Sequence, residues 1–495
     1  MGSYCSPDVW AWIQSLPPIT QWKTNSMSIC IFSSKLTQAS LDLTVSKANQ
    51  NYHTSISFSI VADLHIPIPL WTSKSFKPSI QASKLLDNGT SCSLFCNLVK
   101  NILNYGPTKN ISFLYIPSLD TISNFKEIFN LSFFTLTLLI CIYEVPKDLR
   151  LECLETIKNH LVDSYSRDTT KTLMRLLGSN IEEQWMRSLN LAITNFIAEI
   201  DEQNRILRTP LPFSYAISTV GLWKVQLYCP IIAMKLDTSS HLPANERLQF
   251  SLRHQQLEGV IQFSYRVVVQ EKWVNVIANV DNIRCDVIRL VSETLMRKQG
   301  AGSAEKHFPS RISLELTPTL QTNVLSVSVS KSSENPTLEI GLEKTVEGSF
   351  ETPNILGLRA AMSETMTMSL KPWKFEQSIY GYSANLNWYL HDSVNGREVF
   401  SSKPSKIALL KPKAWFKNRY SSAYRPFTKQ GGVVFAGDEY GDSVLWKIDK
   451  GALGKTMEWE IKGRIWLTYW PNKHRSFYTE TRALEFREIV HLSLI

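Results

Sequence analysis

The sequence predicts an α+β protein, predominantly antiparallel β, with a β-sandwich or barrel-like C-terminal domain and a helical section in the middle of the chain. Two observations predict it. Beyond residue 310 apolar and polar residues alternate in short runs: Ile312/Leu314/Leu316, Leu325/Val327/Val329, Leu338/Ile340/Leu342, Met366/Met368/Leu370 and Leu386/Trp388/Leu390. A period of two gives each strand one dry and one wet face, which suits antiparallel sheets rather than buried parallel ones. From Pro146 the period lengthens. Leu151, Leu154, Ile157, Leu161 and Tyr165, then Ile181, Trp185, Leu189, Ile193, Phe196 and Ile200, fall at three- and four-residue steps, each set forming one stripe on a helix.

Read in order, residues 1–20 form a short arm closed by Pro17 and Pro18. Strands are predicted at 28–32, 40–45 and 55–61, where small polar residues alternate with apolar ones. One helix is expected at 92–104, and further strands at 111–116 and 133–143. The last of these, FFTLTLLICIY, falls well short of the roughly 20 residues a spanning helix needs, so a buried strand is expected. Gly178 separates the two helical stripes, with Asn180 as the expected N-cap, and Pro210 and Pro212 end the section. Ile288, Val291 and Leu295 predict one more helix near 286–298, stopped by Gly300. Asn395–Gly396 predicts a tight hairpin. The regions are therefore an N-terminal β-rich part over 1–145, a helical section over 146–208 and an antiparallel β domain over 209–495. Leu325, Val327, Val329, Leu386, Trp388 and Leu390 are expected to share its core.

A chain of 495 residues with 43% hydrophobic and 20% charged residues is globular in composition and long enough for several domains. Its eight cysteines lie at positions 5, 30, 92, 96, 141, 153, 229 and 285, so no disulfide frame holds the sheet-rich C-terminal part. Cys92 and Cys96 are the one close pair. With no second pair and no neighbouring His they fall short of the four ligands a zinc site takes, and reduced thiols are expected, with no metal and no cofactor. The N-terminus lacks a basic segment and an unbroken apolar run, which argues against a secretory signal. Its first fifty residues are Ser-rich and acid-poor, as transit peptides are, but no Arg precedes Arg150. The expectation is a soluble, cytoplasmic protein able to associate with membranes, with organelle import the minority reading.

Charge is the most local feature of the chain. Residues 401–430 carry eight Lys or Arg and no Asp or Glu, which is +8 of the formal +9. Lys411, Lys413, Lys417, Arg419 and Arg425 are the anion-binding candidates, with Trp415, Phe416 and Tyr420 as aromatic contacts. Pro404, Pro412 and Pro426 prevent one continuous helix, so a loop or irregular edge is expected. The bland reading is a solvated loop whose lysines deter edge pairing. The sharper one is an anionic partner: a membrane surface first, an acidic protein next, nucleic acid last. The N-terminal Met1-Gly2-Ser3-Tyr4-Cys5-Ser6 fits an acylation pattern, with Gly2 and Cys5 as lipidation candidates. Pro7 departs from that pattern, which favours an unmodified arm whose Trp10 and Trp12 pack on the domain.

Motifs that imitate catalysis do not survive inspection. Gly451-Ala-Leu-Gly454-Lys455-Thr456 ends like a phosphate loop, but Asp449 stands where that motif needs Gly, and a strand pattern follows in place of a helix. Residues 437–442, GDEYGD, lack the alternating carboxylates of a calcium loop. Glu458 and Glu460 project from one face of a strand, as solvated acids commonly do. No HExxH or GxSxG occurs, and the nine His are scattered.

The stretch ALGKTMEWEIKGRIWLTYWPNK, with the opening MGSYCSPDVWAWIQSLP, resembles a family of plant proteins of unknown function. The resemblance covers most of the chain. It implies a plant source and transfers no activity and no functional residue. The leading expectation is a non-enzymatic binding or scaffolding protein that uses residues 401–430. The alternatives are an enzyme whose site is assembled from dispersed residues and, last, a nucleic-acid binder.

Overall fold

The computed structural model describes residues 7–34, 38–50, 53–64, 66–78, 85–107, 122, 124–164, 167–201, 213–237, 243, 245–299, 305–330, 338–344, 364–370, 373–390, 433–436, 443–469 and 478–494. A short helix α1 (Val9–Ser15) begins where the Asp8 side chain accepts from the Ala11 N–H at 3.0 Å. Strands β1 (Ser26–Ser33), β2 (Ser40–Gln50), β3 (His53–Asp63) and β4 (Pro67–Thr72) then pair antiparallel in sequence order. Alternation decides their faces. Leu41, Leu43, Val45, Ile56, Phe58 and Ile60 are buried, while Ser28, Thr44, Ser59 and Thr72 line up across the four strands on the other side.

Five helices complete this first core: α2 (Asn88–Asn104), α3 (Phe125–Glu144), α4 (Lys147–Ser164), α5 (Arg167–Leu177) and α6 (Ser179–Asp201). The helix expected at 92–104 is α2, started four residues earlier by Asp87, whose side chain accepts from the Thr90 N–H at 2.7 Å. Of the two stripes beyond Pro146, Leu151, Leu154, Ile157 and Leu161 fall in α4 and the second set in α6, while Tyr165 lies outside the described residues. The α6 helix starts one residue before the expected Asn180 cap, directly after Gly178.

The run 133–143 is helical, not a strand. It belongs to α3, which is buried on nearly every side, so its sequence has no polar face to reveal the 3.6-residue period. Three of its hydroxyls are satisfied within the helix. Ser132, Thr135 and Thr137 donate to the carbonyls of Ile128, Leu131 and Phe133 at 2.9, 2.8 and 2.9 Å. By length and apolarity α3 could cross a bilayer, yet here it is a core helix, with 83% of its most apolar window buried. Trp10 packs against it through the rings of Phe125 and Phe129, at 5.0 and 4.8 Å.

The rest of the described chain is a sandwich with one separate two-stranded sheet. Its strands are β5 (Phe213–Thr219), β6 (Leu222–Pro230), β7 (Lys235–Leu236), β8 (Gln255–Val269), β9 (Trp273–Arg289), β10 (Phe308–Pro318), β11 (Val324–Val329), β12 (Leu338–Lys344), β13 (Glu364–Leu370), β14 (Trp373–Tyr380), β15 (Ser383–Leu390), β16 (Val433–Ala436), β17 (Ser443–Asp449), β18 (Thr456–Tyr469) and β19 (Glu480–Ser493). One layer runs β14-β15-β10-β18-β19-β7 and the other β11-β17-β9-β8-β6-β5, with β16 also pairing β9, while β12 and β13 form the separate sheet. All these pairings are antiparallel, and none of these sheets closes into a barrel. The layers meet in a second core where Trp459 of β18 lies 5.5 Å from Trp223 and 5.9 Å from Trp446 of the facing sheet. Two helices sit in connections, α7 (Glu246–Arg253) and α8 (Glu293–Lys298).

Two sequence expectations are corrected here. The segment near 286–298 is helical only over α8. Its first part, Asp286 to Arg289, continues β9, held by pairing with Gln255 to Glu258. Leu386, Trp388 and Leu390 are fully buried as expected, and Val327 and Val329 pack on the same core, but Leu325 is 51% exposed. A register shift between Val324 and Ser326 inserts one residue and turns Leu325 outward.

Candidate interaction surface

The two ends of the sandwich are built differently. At one end the strands are joined by short turns: β5 to β6 at Gly221, β8 to β9 over 270–272, β10 to β11 over 319–323, β14 to β15 at Gly381, and β17 to β18 over 450–455. Register places these together, since Pro318 faces Trp459, Val324 faces Ile448 and Asp449 faces Trp273. The phosphate-loop imitation lies here, as a 3-10 turn over Lys450–Ala452 followed by β18, so no helix dipole is available to an anion.

Every long connection leaves from the other end. The helix-bearing links β6 to β8 and β9 to β10 are there, with the link from β18 to β19. So is the excursion from β11 to β14 that carries β12 and β13. The basic stretch lies in another, 391–432, between Leu390 of β15 and Val433 of β16. Leu390 pairs with Trp373 in one sheet, and Val433 pairs with Cys285 in the other. The excursion is thus anchored on both layers. Lys411, Lys413, Trp415, Phe416, Lys417, Arg419, Tyr420 and Arg425 lie outside the described residues, as do Gly2, Cys5, 111–116, Asn395–Gly396 and 437–442.

This end is fastened by a buried polar network that the sequence did not reveal. His307 is fully buried, with Nδ1 2.9 Å from Gln255 Oε1 and Nε2 2.6 Å from Glu480 Oε1. Gln255 is oriented by donating to the Ser251 and Glu305 carbonyls at 2.9 and 2.8 Å, so its Oε1 must accept from Nδ1–H. One proton is then shared between His307 Nε2 and Glu480. Arg482 donates to Glu480 at 2.8 and 3.2 Å and to the Ile231 and Ile232 carbonyls at 3.1 and 3.3 Å. Burial alone would raise the Glu480 carboxyl. The Arg482 guanidinium and His307 overcome it and hold the group well below the usual carboxylate range. A His–Glu–Arg set has catalytic composition, but with His307 and Glu480 at 0% and 1% exposure it is sealed from substrate. Its sequence signal, Glu480 and Arg482 two apart on a strand, reads as an ordinary wet face.

A cleft of about 370 Å³ lies between the end of α3, the start of α4 and the last turns of α6. Its cations are already engaged. Arg150 donates through Nε and Nη2 to the Val145 carbonyl at the end of α3, at 3.2 and 3.0 Å, and through Nη1 to Glu199 at 2.5 Å. Lys147 also pairs with Glu199, at 2.9 Å. These groups neutralise one another and a helix C-terminus, which leaves none of them placed as an acid or base. Among the described residues no group of His, Cys, Asp or Glu is arranged to hold a metal ion. Cys92 and Cys96 lie half-buried on α2, neither of them in a disulfide.

Comparison with known proteins adds little. No family model matches the chain, and no curated protein matches it. Solved structures with some likeness include the Clostridium perfringens delta-toxin, 11% identical with a TM-score of 0.18, over 57% of this chain and 93% of that one. The Clostridium perfringens NetB toxin in its membrane-inserted form is 9% identical, TM-score 0.19, over 57% and 94%. A pore-forming protein is 10% identical, TM-score 0.17, over 56% and 94%. Likeness at this level establishes neither a shared fold nor a shared activity.

Proposed function

We propose that the protein is a non-enzymatic binding protein, cytoplasmic, that docks on anionic membrane surfaces with the long-connection end of its sandwich. The observation that carries the reading is the concentration of +8 of the net +9 charge in residues 401–430, within one excursion whose two ends attach to opposite layers of the sandwich. A second excursion from the same end supports it. Register sets Leu338, Ile340 and Leu342 opposite Leu370, Met368 and Met366, and Glu339 and Glu343 opposite Ser369 and Thr365. A two-stranded sheet is marginal in water by itself, and a bilayer interface is one environment that would stabilise it.

The magnitude is sufficient. Each Lys or Arg at an anionic surface is worth about 1 kcal/mol, so four of them supply about 4, roughly a thousandfold in partitioning. The variant K411E/K413E/K417E/R419E should therefore lose co-sedimentation with anionic vesicles while melting like the parent. Neutral vesicles should bind poorly, and salt should weaken the anionic binding. A parent that ignores anionic vesicles at low salt overturns the proposal. Retention of polynucleotide instead, with a steep salt slope, replaces it with nucleic-acid binding.

A further inference from the structure

The seam that joins the helical part to the sandwich carries buried charged groups beside its apolar contacts. On the α6 side stand Glu182, Glu183, Arg187 and Asn190. On the sheet side stand Tyr215 of β5, Tyr228 of β6, Gln256 and Glu258 of β8, and Asp286 of β9. Arg187 grips Glu258 with two bonds, at 2.9 and 3.1 Å, and reaches Glu183 at 3.2 Å. Asn190 donates to Gln256 at 2.8 Å, and Gln256 donates to Glu258 at 3.0 Å. Glu258 and Asp286 are direct cross-strand partners, both almost fully buried, a pairing of like charges that ordinarily destabilises a sheet.

Glu182 is the group on which the seam closes. It is 4% exposed and accepts from two phenols, Tyr215 at 2.6 Å and Tyr228 at 3.0 Å. Gln226 donates to the Tyr228 oxygen at 2.7 Å, which directs the phenol proton toward Glu182. Both phenols converge on one oxygen, Oε1. A proton on Oε2 therefore disturbs neither bond, and the docked seam can hold Glu182 in either charge state.

We propose that this seam is a proton-responsive latch, in which α6 docks on the β5–β6–β8–β9 face more tightly as pH falls and loosens as pH rises. The acids outnumber the arginines within it: Glu182, Glu183, Glu258 and Asp286 face Arg187 and Arg284. The remaining cations act from its margins. Lys224 of β6 lies toward Glu182, Arg175 of α5 toward Tyr215, and Lys306 toward Asp286. Burial raises the Glu182 and Glu183 carboxyls, opposed at Glu182 by the two phenols and Lys224, and reinforced at Glu183 by Glu258. The sign follows. A carboxyl whose pKa is higher when docked takes up a proton on docking. Its contribution is fully present below the ordinary carboxylate value and declines as pH rises from there through the raised docked value.

Amide exchange along α6 in the full chain, corrected for intrinsic rate, reads the latch. From the ordinary carboxylate range upward protection should fall with rising pH, by up to about tenfold per unit for one linked proton, until the docked group has ionised. The Glu182→Gln variant keeps an acceptor for both phenols and cannot ionise, so its protection should vary far less with pH and exceed the parent's at the alkaline end. Tyr228→Phe removes one donor to the carboxylate and should move the parent's transition to higher pH. An unchanged pH profile in Glu182→Gln, or, should that variant fail to fold, no displacement of the transition in Tyr228→Phe, overturns the proposal.

Discussion

The two ends of the sandwich rest on one tryptophan-rich core but are finished by opposite means. The turn end closes with backbone geometry, in short connections with glycine at the reversals, and it leaves apolar side chains in water: Val220 is fully exposed and Tyr380 is 83% exposed. The long-connection end closes with side-chain chemistry, the His307–Glu480–Arg482 set and the seam with α6, and it carries the long excursions. Rigid turns need no buried charge. An end that must anchor long segments on both layers needs a fixed base, and a hydrogen-bonded polar network specifies one geometry better than apolar contact does. Long connections concentrate function for the same reason, since a stable scaffold frees them from a packing role.

The largest expected effect tests that base. Glu480→Ala removes the anion between Arg482 and His307 and leaves buried polar groups unpaired, which should cost about 3 to 5 kcal/mol by thermal or denaturant unfolding. The pH dependence has a definite sign. Because the folded Glu480 carboxyl is depressed, its stabilisation is present above the ordinary carboxylate range and is lost as pH falls. The parent should weaken on acidification more steeply than Glu480→Ala. A variant that melts with the parent would mean the network is not the fastener of this end.

The next effect belongs to the turn end and should be smaller. Gly221 turns β5 into β6 with φ of 76°, and a Cβ there would meet only the Tyr265 carbonyl oxygen, at 3.8 Å. With no clash, Gly221→Ala costs only the left-handed conformation, about 1 to 2 kcal/mol. A cost equal to that of Glu480→Ala would erase the contrast between the ends.

What the sequence made legible follows from the same contrast. Strands with one wet face announced themselves, as in Leu386, Trp388 and Leu390, because water on one side forces alternation. The α3 helix did not, since burial on all sides removes the periodic signal and leaves a bare apolar run. Asp286 to Arg289 misled for a related reason: Ile288 and Val291 happen to be three apart, while the pairing that keeps this stretch in β9 is made with β8, some thirty residues away in sequence. The seam and the His307 set were invisible because their members, such as Glu182 with Tyr228 and His307 with Glu480, are brought together only by the tertiary fold. The charge of 401–430 was legible at once, whereas its anchoring on both layers required the strand order.

The smallest expected effect is the sharpest test of the division of labour. Val220 and Tyr380 are the most exposed large apolar residues of the turn end, and membrane insertion of that end would depend on such tips. If the long-connection end makes the contact, Val220→Ser and Tyr380→Ser should leave partitioning to anionic vesicles unchanged. Neither side chain packs into the core, so stability should stay within about 0.5 kcal/mol of the parent. The double variant can be run beside the four-site charge reversal on the same vesicles. Loss of binding in the turn-end variant, with the charge reversal still binding, would exchange the roles of the two ends: the apolar tips would be the membrane contact, and the basic excursion a solvated loop.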